Sequence, residues 1–538
     1  VTTAVRPAGV ERALTAISTV MRAQYALVSA AMLFAAHPPL AVGPLVGWFC
    51  LVPLLMATRG LSWGPAFLLG LLTGVASTLA TFFWIFSLPA FTAGRGLIAA
   101  AFLGLYPAAW IALVRAYGRE GSRGALAFAA CAWVMLDFVR DHAGFLALPW
   151  ATLAQSQVDS TCLVQLASVT GEAGIAFVLV WTNVLLAQAK GLAPRELAVR
   201  ALPVALAFAV GGALLVFAPA AARAPLPVAV LRTNFPSTGP GRPSPEVRVR
   251  ESLAALQSSP PAALLVWPES AFVNLAIVPQ LASALEATAR ARSATLVVGE
   301  AEALKFEGPP DPHDPVAKVR NGALVISPGQ SPVRYTKRRP VPFAEYTPLR
   351  GAFEWPRWLV PPRTFEVVAG DGPPAIATGT AGTVAVLVCF ESLFSADVRA
   401  AAAQGAGVLV HLANEGWFGS PVAGEQHLAT LRMRAIETGR PALLSANAGV
   451  SAIVDRTGRV VAQTAPRATT AWLTGSIVPG AGATVWMRIG DLAVALAAAG
   501  AALLFALRRR WDAAPASRGP GSDPSVPRAT THTSEESR

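Results

Sequence analysis

The chain carries a succession of apolar stretches, each about 20 residues long and almost free of charge, and these limit what it can fold into. A helix of about that length crosses the roughly 30 Å hydrocarbon layer of a bilayer. Such stretches run over 23 to 36 with its flanks, 40 to 57, 62 to 86, 97 to 117, 124 to 139, 161 to 188 and 201 to 219, with an eighth at 487 to 507. Residues 1–219 are therefore expected to form a membrane domain of about seven transmembrane helices, and 485–510 a single C-terminal one. Residues 220–484 differ: Pro- and Gly-rich turns, strand-like runs and dispersed charges mark a water-soluble domain. The tail, 511–538, is rich in Pro, Ser, Gly and Thr without apolar periodicity and is expected to be a disordered cytoplasmic segment.

Composition agrees, since 54% of the 538 residues are hydrophobic and only 14% charged. The net charge of +12 does not indicate nucleic acid, because no basic stripe is interleaved with aromatics. The basic residues alternate in side instead. Arg6, Arg12 and Arg22 precede the first stretch, Arg59 follows the second, and Arg115, Arg119 and Arg123 follow the fourth. Lys190, Arg195 and Arg200 follow the sixth and Arg508, Arg509 and Arg510 the eighth, while the opposite loops hold little beyond Arg95 and Arg140. By the positive-inside rule both termini lie in the cytoplasm, and seven crossings put 220–484 outside. Asp137 and Arg140, three apart, read as a helix-end ion pair, and Glu172 in TGEAG as a residue at a helix break or on a polar pathway.

Three of the four cysteines, Cys50, Cys131 and Cys162, fall in or beside apolar stretches, where a small soft side chain packs well. Only Cys389 lies in the external domain. With no partner there for a disulfide, it is either buried or chemically useful.

In 220–484 the β-rich runs PVAVLRTNF, AALLVWPES, ATLVVGEAEA, GALVISP, TVAVLVCFES, AGVLVHLANEGWFG and GVSAIVDRTGRVVAQT alternate with helical candidates. Those candidates are PEVRVRESLAALQ, PQLASALEATARAR, FSADVRAAAAQG and EQHLATLRMRAIETG. Continuous Val/Leu runs bounded by turns predict strands buried on both faces and covered by helices, a layered α/β domain. Three residues end buried strands, where such folds place their chemistry: Glu269 after LLVWP, Lys337 after VRYT and Cys389 after VAVLV. Each alone has a plainer reading, as a strand-exit carboxylate, one of three solvated charges in KRR, and a small core residue. Together they compose a nucleophilic acyl-transfer catalyst: a carboxylate takes the thiol proton, the thiolate attacks a carbonyl, and an ammonium faces the oxyanion. If FES opens the helix SLFSADVRAAAA, its N-terminal N–H groups would add to that stabilisation.

At these residues the sequence resembles the nitrilase superfamily, whose members carry a Glu-Lys-Cys triad on a four-layer α-β-β-α sandwich. With the apolar spans included, it is similar to the apolipoprotein N-acyltransferases over most of its length. The stretches that carry the resemblance are VWPES, YTKRRPVPFAEYTPL, VCFES, NEGWFG and EQHLATLRMRAIETGRP, with FFWI, LPW and TGEAGIAF in the membrane region. The resemblance implies Glu269 as general base, Lys337 as oxyanion and positioning group, and Cys389 as the acylated nucleophile. It implies Glu345 as a second glutamate assisting the site, Glu391 as an acidic neighbour of the cysteine, and Trp417 and Phe418 as linings of a lipid entrance. Glu345 and Glu391 read alternatively as structural ion-pair partners, and the two aromatics as core. Phe390 stands where tyrosine is frequent in the family, which removes a hydroxyl and keeps the backbone N–H.

The implied reaction takes an acyl chain from a phospholipid onto Cys389 and passes it to the α-amine of a diacylglyceryl-cysteine apolipoprotein. Its expected partners are thus a phospholipid donor, a diacylated apolipoprotein acceptor and the bilayer, with no nucleic acid. No Gly-rich phosphate loop or Cys/His metal spacing is present in the sequence, so neither cofactor nor metal is expected. Two rival readings are a membrane-tethered nitrilase-type amidase and a non-catalytic lipoprotein-binding protein or transporter.

Overall fold

The computed structural model describes residues 8–513 except 41, 89–90, 119–120, 218–222, 238–240, 276–278, 305–316, 361–364, 373, 380 and 466–468. The disorder expected of the tail concerns residues that, from 514 on, lie outside the described ones, as do Arg6 and Arg119 of the charge pattern.

The N-terminal region is helical. Helices Trp63–Thr81, Ala93–Tyr117 and Pro194–Val216 are each long and apolar enough to cross a membrane. Around them pack Ala8–Ala35, Arg123–Asp141, Glu172–Gln188 and, from the far end of the chain, Leu492–Ala513. Trp63–Thr81 and Ala93–Tyr117 approach closely because Gly74 faces Gly104 and Gly70 faces Ala108; a Cβ on Gly74 would lie 2.6 Å from the Gly104 Cα, and one on Gly70 2.7 Å from the Ala108 Cα.

Four of the expected spans are not single helices: 62 to 86 passes from Trp63–Thr81 into a 3-10 turn, Phe83–Ser87, and 487 to 507 breaks at Gly490, φ +57°, between Val485–Ile489 and Leu492–Ala513. The stretch 40 to 57 holds two short helices, Gly43–Val46 and Val52–Ala57, each with proline in its first turn. Asn183 of Glu172–Gln188 spans the break: its side chain accepts from Leu51 N at 2.7 Å and donates to Gly47 O at 3.0 Å. A buried amide thus satisfies backbone groups that a continuous helix would have paired internally. The stretch 161 to 188 is interrupted at Gly171, whose φ of +63° ends one short helix before Glu172 begins the next. Asp137 does pair with Arg140 at 3.6 Å, and Arg140 with Asp141 at 3.6 Å.

The domain after this region is an α-β-β-α sandwich. One eight-stranded sheet runs in the order Ala471–Ile477, Leu226–Arg232, Leu264–Val266, Thr295–Ala303, Ala317–Ile326, Val333–Thr336, with Phe272–Val273 and Phe365–Val367 added at its side. The six-stranded second sheet runs Val460–Gln463, Ala452–Val454, Ala442–Asn447, Val408–Asn414, Gly382–Val388, Ala375–Thr378. Side-chain alternation creates the layers. Along Leu226–Arg232, Val228 and Val230 enter the core between the sheets, while Ala229 and Leu231 join the core under helices Pro245–Gln257 and Pro279–Arg292. Along Gly382–Val388, Val384, Val386 and Val388 face the inter-sheet core, and Ala385 and Leu387 face helices Ser395–Ala403 and Val422–Thr438. Strands buried on both faces must be continuously apolar, which is why these runs show no polar alternation.

Helix Val422–Thr438 locks this domain to the N-terminal region. Arg434, 2% exposed, bonds Glu172 and lies 3.2 Å from Glu437; Glu172 also takes the Gln155 amide at 3.1 Å and the Thr152 hydroxyl. Arg432 binds Asp159 at 2.6 Å, and the Gln426 amide donates to Thr81 O at 3.1 Å. Beside these, Phe82, Trp84 and Trp150 of the helical region share one aromatic cluster with Phe390, Phe394 and Val422. Replacing Arg434 by alanine would strand the Glu172 and Glu437 carboxylates, at a cost of about 3 kcal/mol. The expected outcome for Arg434→Ala is a clearly lowered thermal midpoint of the purified protein in detergent; an unchanged midpoint would show that the pair carries no net stability.

Candidate active site

Glu269 stands three residues beyond the strand Leu264–Val266, and it is 6% exposed. Gly299 on the neighbouring strand makes room for it, because a Cβ there would sit 2.0 Å from Pro268 O and 2.8 Å from the Glu269 Cα. The Asn321 amide donates to Glu269 Oε1 at 2.7 Å, and Asn321 O accepts from Lys337 N at 2.8 Å. One strand residue therefore positions both the glutamate and the lysine.

Lys337 follows the edge strand Val333–Thr336 and is fully buried. Its Nζ donates to Glu345 Oε1 at 2.9 Å and lies 3.8 Å from Glu269 Oε1. The other Glu345 oxygen accepts from Val341 N at 2.6 Å, so Glu345 is an ion-pair partner that also fixes the loop between itself and the lysine. Burial works against the ammonium, yet the Glu345 and Glu269 carboxylates outweigh it and hold Lys337 protonated, its pKa raised. Burial pushes the Glu269 carboxyl above its ordinary value; Lys337 and the Asn321 hydrogen bond pull the other way, while Glu345 adds to the rise.

Cys389 ends the strand Gly382–Val388 with φ of +51°, a left-handed backbone that a non-glycine residue adopts at a cost. Its carbonyl is held by His411 Nε2 at 3.0 Å and by the Ser392 hydroxyl at 3.3 Å. His411 is kept neutral, its pKa driven well down by burial and by His427, so the ring nitrogen facing the carbonyl carries the proton. Burial pushes the Cys389 thiol well above its ordinary value, the Glu269 charge adds to that, and Lys337 opposes it. Thiol, carboxylate and ammonium are thus electrostatically coupled, the carboxylate and ammonium buried and the cysteine half-buried.

The helix expected to open at FES does not. A single 3-10 turn, Cys389–Leu393, is followed by a break at Phe394, and the α-helix begins only at Ser395. Glu391 causes this. One of its oxygens accepts from Val388 N at 2.7 Å, and the other accepts from the Tyr335 hydroxyl at 2.8 Å and Arg338 N at 2.6 Å. Those bonds turn the chain tightly and tie the cysteine turn to the Lys337 strand. The N–H groups of the 3-10 turn still lack intrahelical partners, as at any helix start.

Phe390 is 7% exposed and packs edge-on against Phe394, with centroids 5.1 Å apart, in the aromatic cluster joining the two regions. Phe418 lies 4.7 Å from Trp84, also edge-on, and belongs to that same packed junction. Trp417 closes the short turn Glu415–Trp417 and is half-buried. A cavity of about 480 Å³ is lined by Phe390, Phe394, Arg338, Arg339 and Tyr346 among others.

Sequence reading missed Asn321 and the buried histidines. His411, in VLVHLAN, is a polar residue inside a fully buried run and so demands a partner, as Asn321 does ahead of GALVIS. His427 Nδ1 bonds Glu415 at 2.6 Å, and its ring stacks on Trp150 at 4.4 Å, which carries the site's buried polar layer to the helical region. Among the described residues no group of His, Cys, Asp and Glu is arranged to hold a metal.

Residues 29–185 match the apolipoprotein N-acyltransferase N-terminal domain, and residues 245–483 match the carbon-nitrogen hydrolase family. The chain is 32% identical over 515 residues to an apolipoprotein N-acyltransferase of Geobacter metallireducens, covering 90% of this chain and 95% of the relative. A Methylococcus capsulatus protein of the same name is 30% identical, with 78% of this chain and 81% of the relative covered. Among solved structures, an amidase of the nitrilase superfamily from Nesterenkonia AN1 aligns at 18% identity and a TM-score of 0.36, covering 55% of this chain and 98% of that one.

With Glu269 as the expected base, which accepts a proton only when ionised, activity should fall along an acid limb as pH drops through a value above the ordinary carboxylate range. Asn321→Ala removes a hydrogen bond that favours the ionised form, so in single-turnover measurements this limb is expected to move to still higher pH. A limb that stays in place would separate Asn321 from the base.

Proposed function

The chain belongs to the apolipoprotein N-acyltransferase family, and from that premise we propose that it moves an acyl chain from a phospholipid, through a thioester on Cys389, to the N-terminal α-amine of a diacylglyceryl-cysteine lipoprotein. The observation that carries this reading is the buried Lys337 ammonium between Glu269 and Glu345, electrostatically coupled to a cysteine at a positive-φ strand end.

In the first half-reaction Glu269 takes the thiol proton as the sulfur attacks the ester carbonyl, with Lys337 and the turn's N–H groups facing the oxyanion. The S–C bond forms and the ester C–O bond breaks. Glu269 then returns the proton to the departing glycerol oxygen, releasing a lysophospholipid. In the second, the neutral α-amine attacks the thioester, the C–N bond forms, the C–S bond breaks, and the amine's proton passes through Glu269 to the sulfur.

Both substrates are lipid-anchored, which suits a catalytic domain on the outer face of the membrane with both termini in the cytoplasm, the arrangement that the basic residues favour. Approach within the bilayer plane then replaces diffusion through water. The aromatic junction around Phe390, Trp84 and Trp150 supports a site kept dry enough for a thioester to await an amine rather than water.

Purified protein incubated with labelled phospholipid, without acceptor, is expected to carry label on Cys389 that hydroxylamine releases. Cys389→Ala should carry none, and adding a diacylated lipopeptide should transfer the label to its amine. Label released to water at the same rate with or without lipopeptide would instead identify a hydrolase.

A further inference from the structure

The cavity of about 480 Å³ lies between the catalytic domain and the loop around Gly144, Phe145 and Ala147 that leaves helix Arg123–Asp141. Four cations line it, Lys318, Arg338, Arg339 and Arg350, with one carboxylate, Glu366. Arg339 is bonded to Asp397 and its guanidinium sits 4.1 Å from the Phe394 ring centre; Arg350 is 3.7 Å from Glu366. Two cations are thus matched by two carboxylates. Among the described residues, Arg338 and Lys318 have no carboxylate partner. Most of the rest of the wall is apolar, from Phe145, Phe390, Phe394 and Val367, with Tyr346 beside them. Surplus positive charge over an apolar floor fits an anion attached to hydrocarbon better than a soluble ion, which would leave the floor unused.

The place is specific as well. Arg338 follows Lys337 in the chain and Phe390 follows Cys389, so the cavity wall and the reacting groups share two backbone segments, which Glu391 ties together through Val388 N and Arg338 N. We propose that this cavity seats the phosphodiester of the donor lipid, with Arg338 and Lys318 facing its oxygens while the neighbouring acyl ester reaches Cys389. This rests on the phospholipid-donor reading above. The acceptor does not fit the same place, because its reactive end is an amine that is cationic until deprotonated, and unpaired cations repel it. The departing lysophospholipid keeps the phosphate, so the same contacts hold the leaving group during the first half-reaction.

The test is single-turnover acylation of Cys389 from two donors with identical acyl chains in detergent micelles, phosphatidylethanolamine and diacylglycerol. Wild type is expected to prefer the phospholipid, and Arg338→Gln with Lys318→Gln, which removes two charge-assisted contacts, to lower the phospholipid-to-diacylglycerol rate ratio by about a hundredfold, roughly tenfold for each contact. Lys318→Gln alone, on an exposed side chain, is expected to lower the ratio in part, so the test survives any disturbance of Lys337 by the neighbouring substitution. An unchanged ratio with both rates reduced alike would overturn the assignment. So would slowing confined to transfer onto the lipopeptide, which would make the cavity a peptide site. Inhibition by inorganic phosphate matching that by a short-chain phospholipid would overturn it in favour of a free-anion site. Failure of wild type to form acyl-Cys389 from either donor would instead refute the underlying donor reading, and this proposal with it.

Discussion

A fully buried ammonium between two carboxylates is the constraint on which the remainder of the site depends. Removing three charges from water is costly, and the arrangement persists because each is answered: Lys337 by Glu345 and Glu269, Glu269 by the Asn321 amide, Glu345 by Val341 N–H. One positive charge against two negative ones leaves no surplus cation to stabilise a resting thiolate. Cys389 is therefore held protonated, its pKa pushed up by burial and Glu269, and in the proposed mechanism its sulfur becomes nucleophilic only as Glu269 takes its proton. This differs from enzymes that hold a cysteine ionised beside an imidazolium or at the start of a long helix. The break at Phe394, which separates the cysteine turn from helix Ser395–Ala403, is consistent with that difference.

The fold supplies this constraint through strand ends. Two sheets packed face to face bring the ends of Leu264–Val266, Val333–Thr336 and Gly382–Val388 together, and Glu391 fastens the last two to each other. His411, from the adjacent strand Val408–Asn414, holds the Cys389 carbonyl and so sustains its strained φ. From the same layer Glu415 and His427 reach Trp150, and the helix carrying His427 also carries Arg434 to Glu172. Site and helical region are in this way parts of one packed structure, joined by apolar contact at Phe390 and by ion pairs along Val422–Thr438.

Much of this was legible in the sequence, and the reasons are physical. Strands buried on both faces read as unbroken Val/Leu runs, so TVAVLV and AGVLVHLA stood out, and the residues ending them were conspicuous as polar exits. ALLSAN at 442–447 and AWLTGSI at 471–477 went unread because serine and threonine interrupt the apolar run, although each forms a strand. The break within 40 to 57 escaped because hydropathy measures apolarity and not hydrogen-bond continuity, and Asn183, which makes it tolerable, lies far away in sequence; the break at Gly171 is one of the two readings of Glu172 in TGEAG. The role of Glu391 as a tie between segments could not be seen either, since, apart from the nearby Val388 N–H, its partners are the Tyr335 hydroxyl and the Arg338 N–H, 56 and 53 residues upstream.

The most direct test of the central claim is the pH dependence of Cys389 alkylation by iodoacetamide in purified protein free of lipid substrate, followed by mass spectrometry of the peptide. A thiol held protonated in the presence of one ammonium and two carboxylates should react slowly at neutral pH, its rate still climbing beyond the ordinary thiol value of about 8.5. A fast rate that is flat from about pH 5 upward would mean a resting thiolate, and would contradict the account.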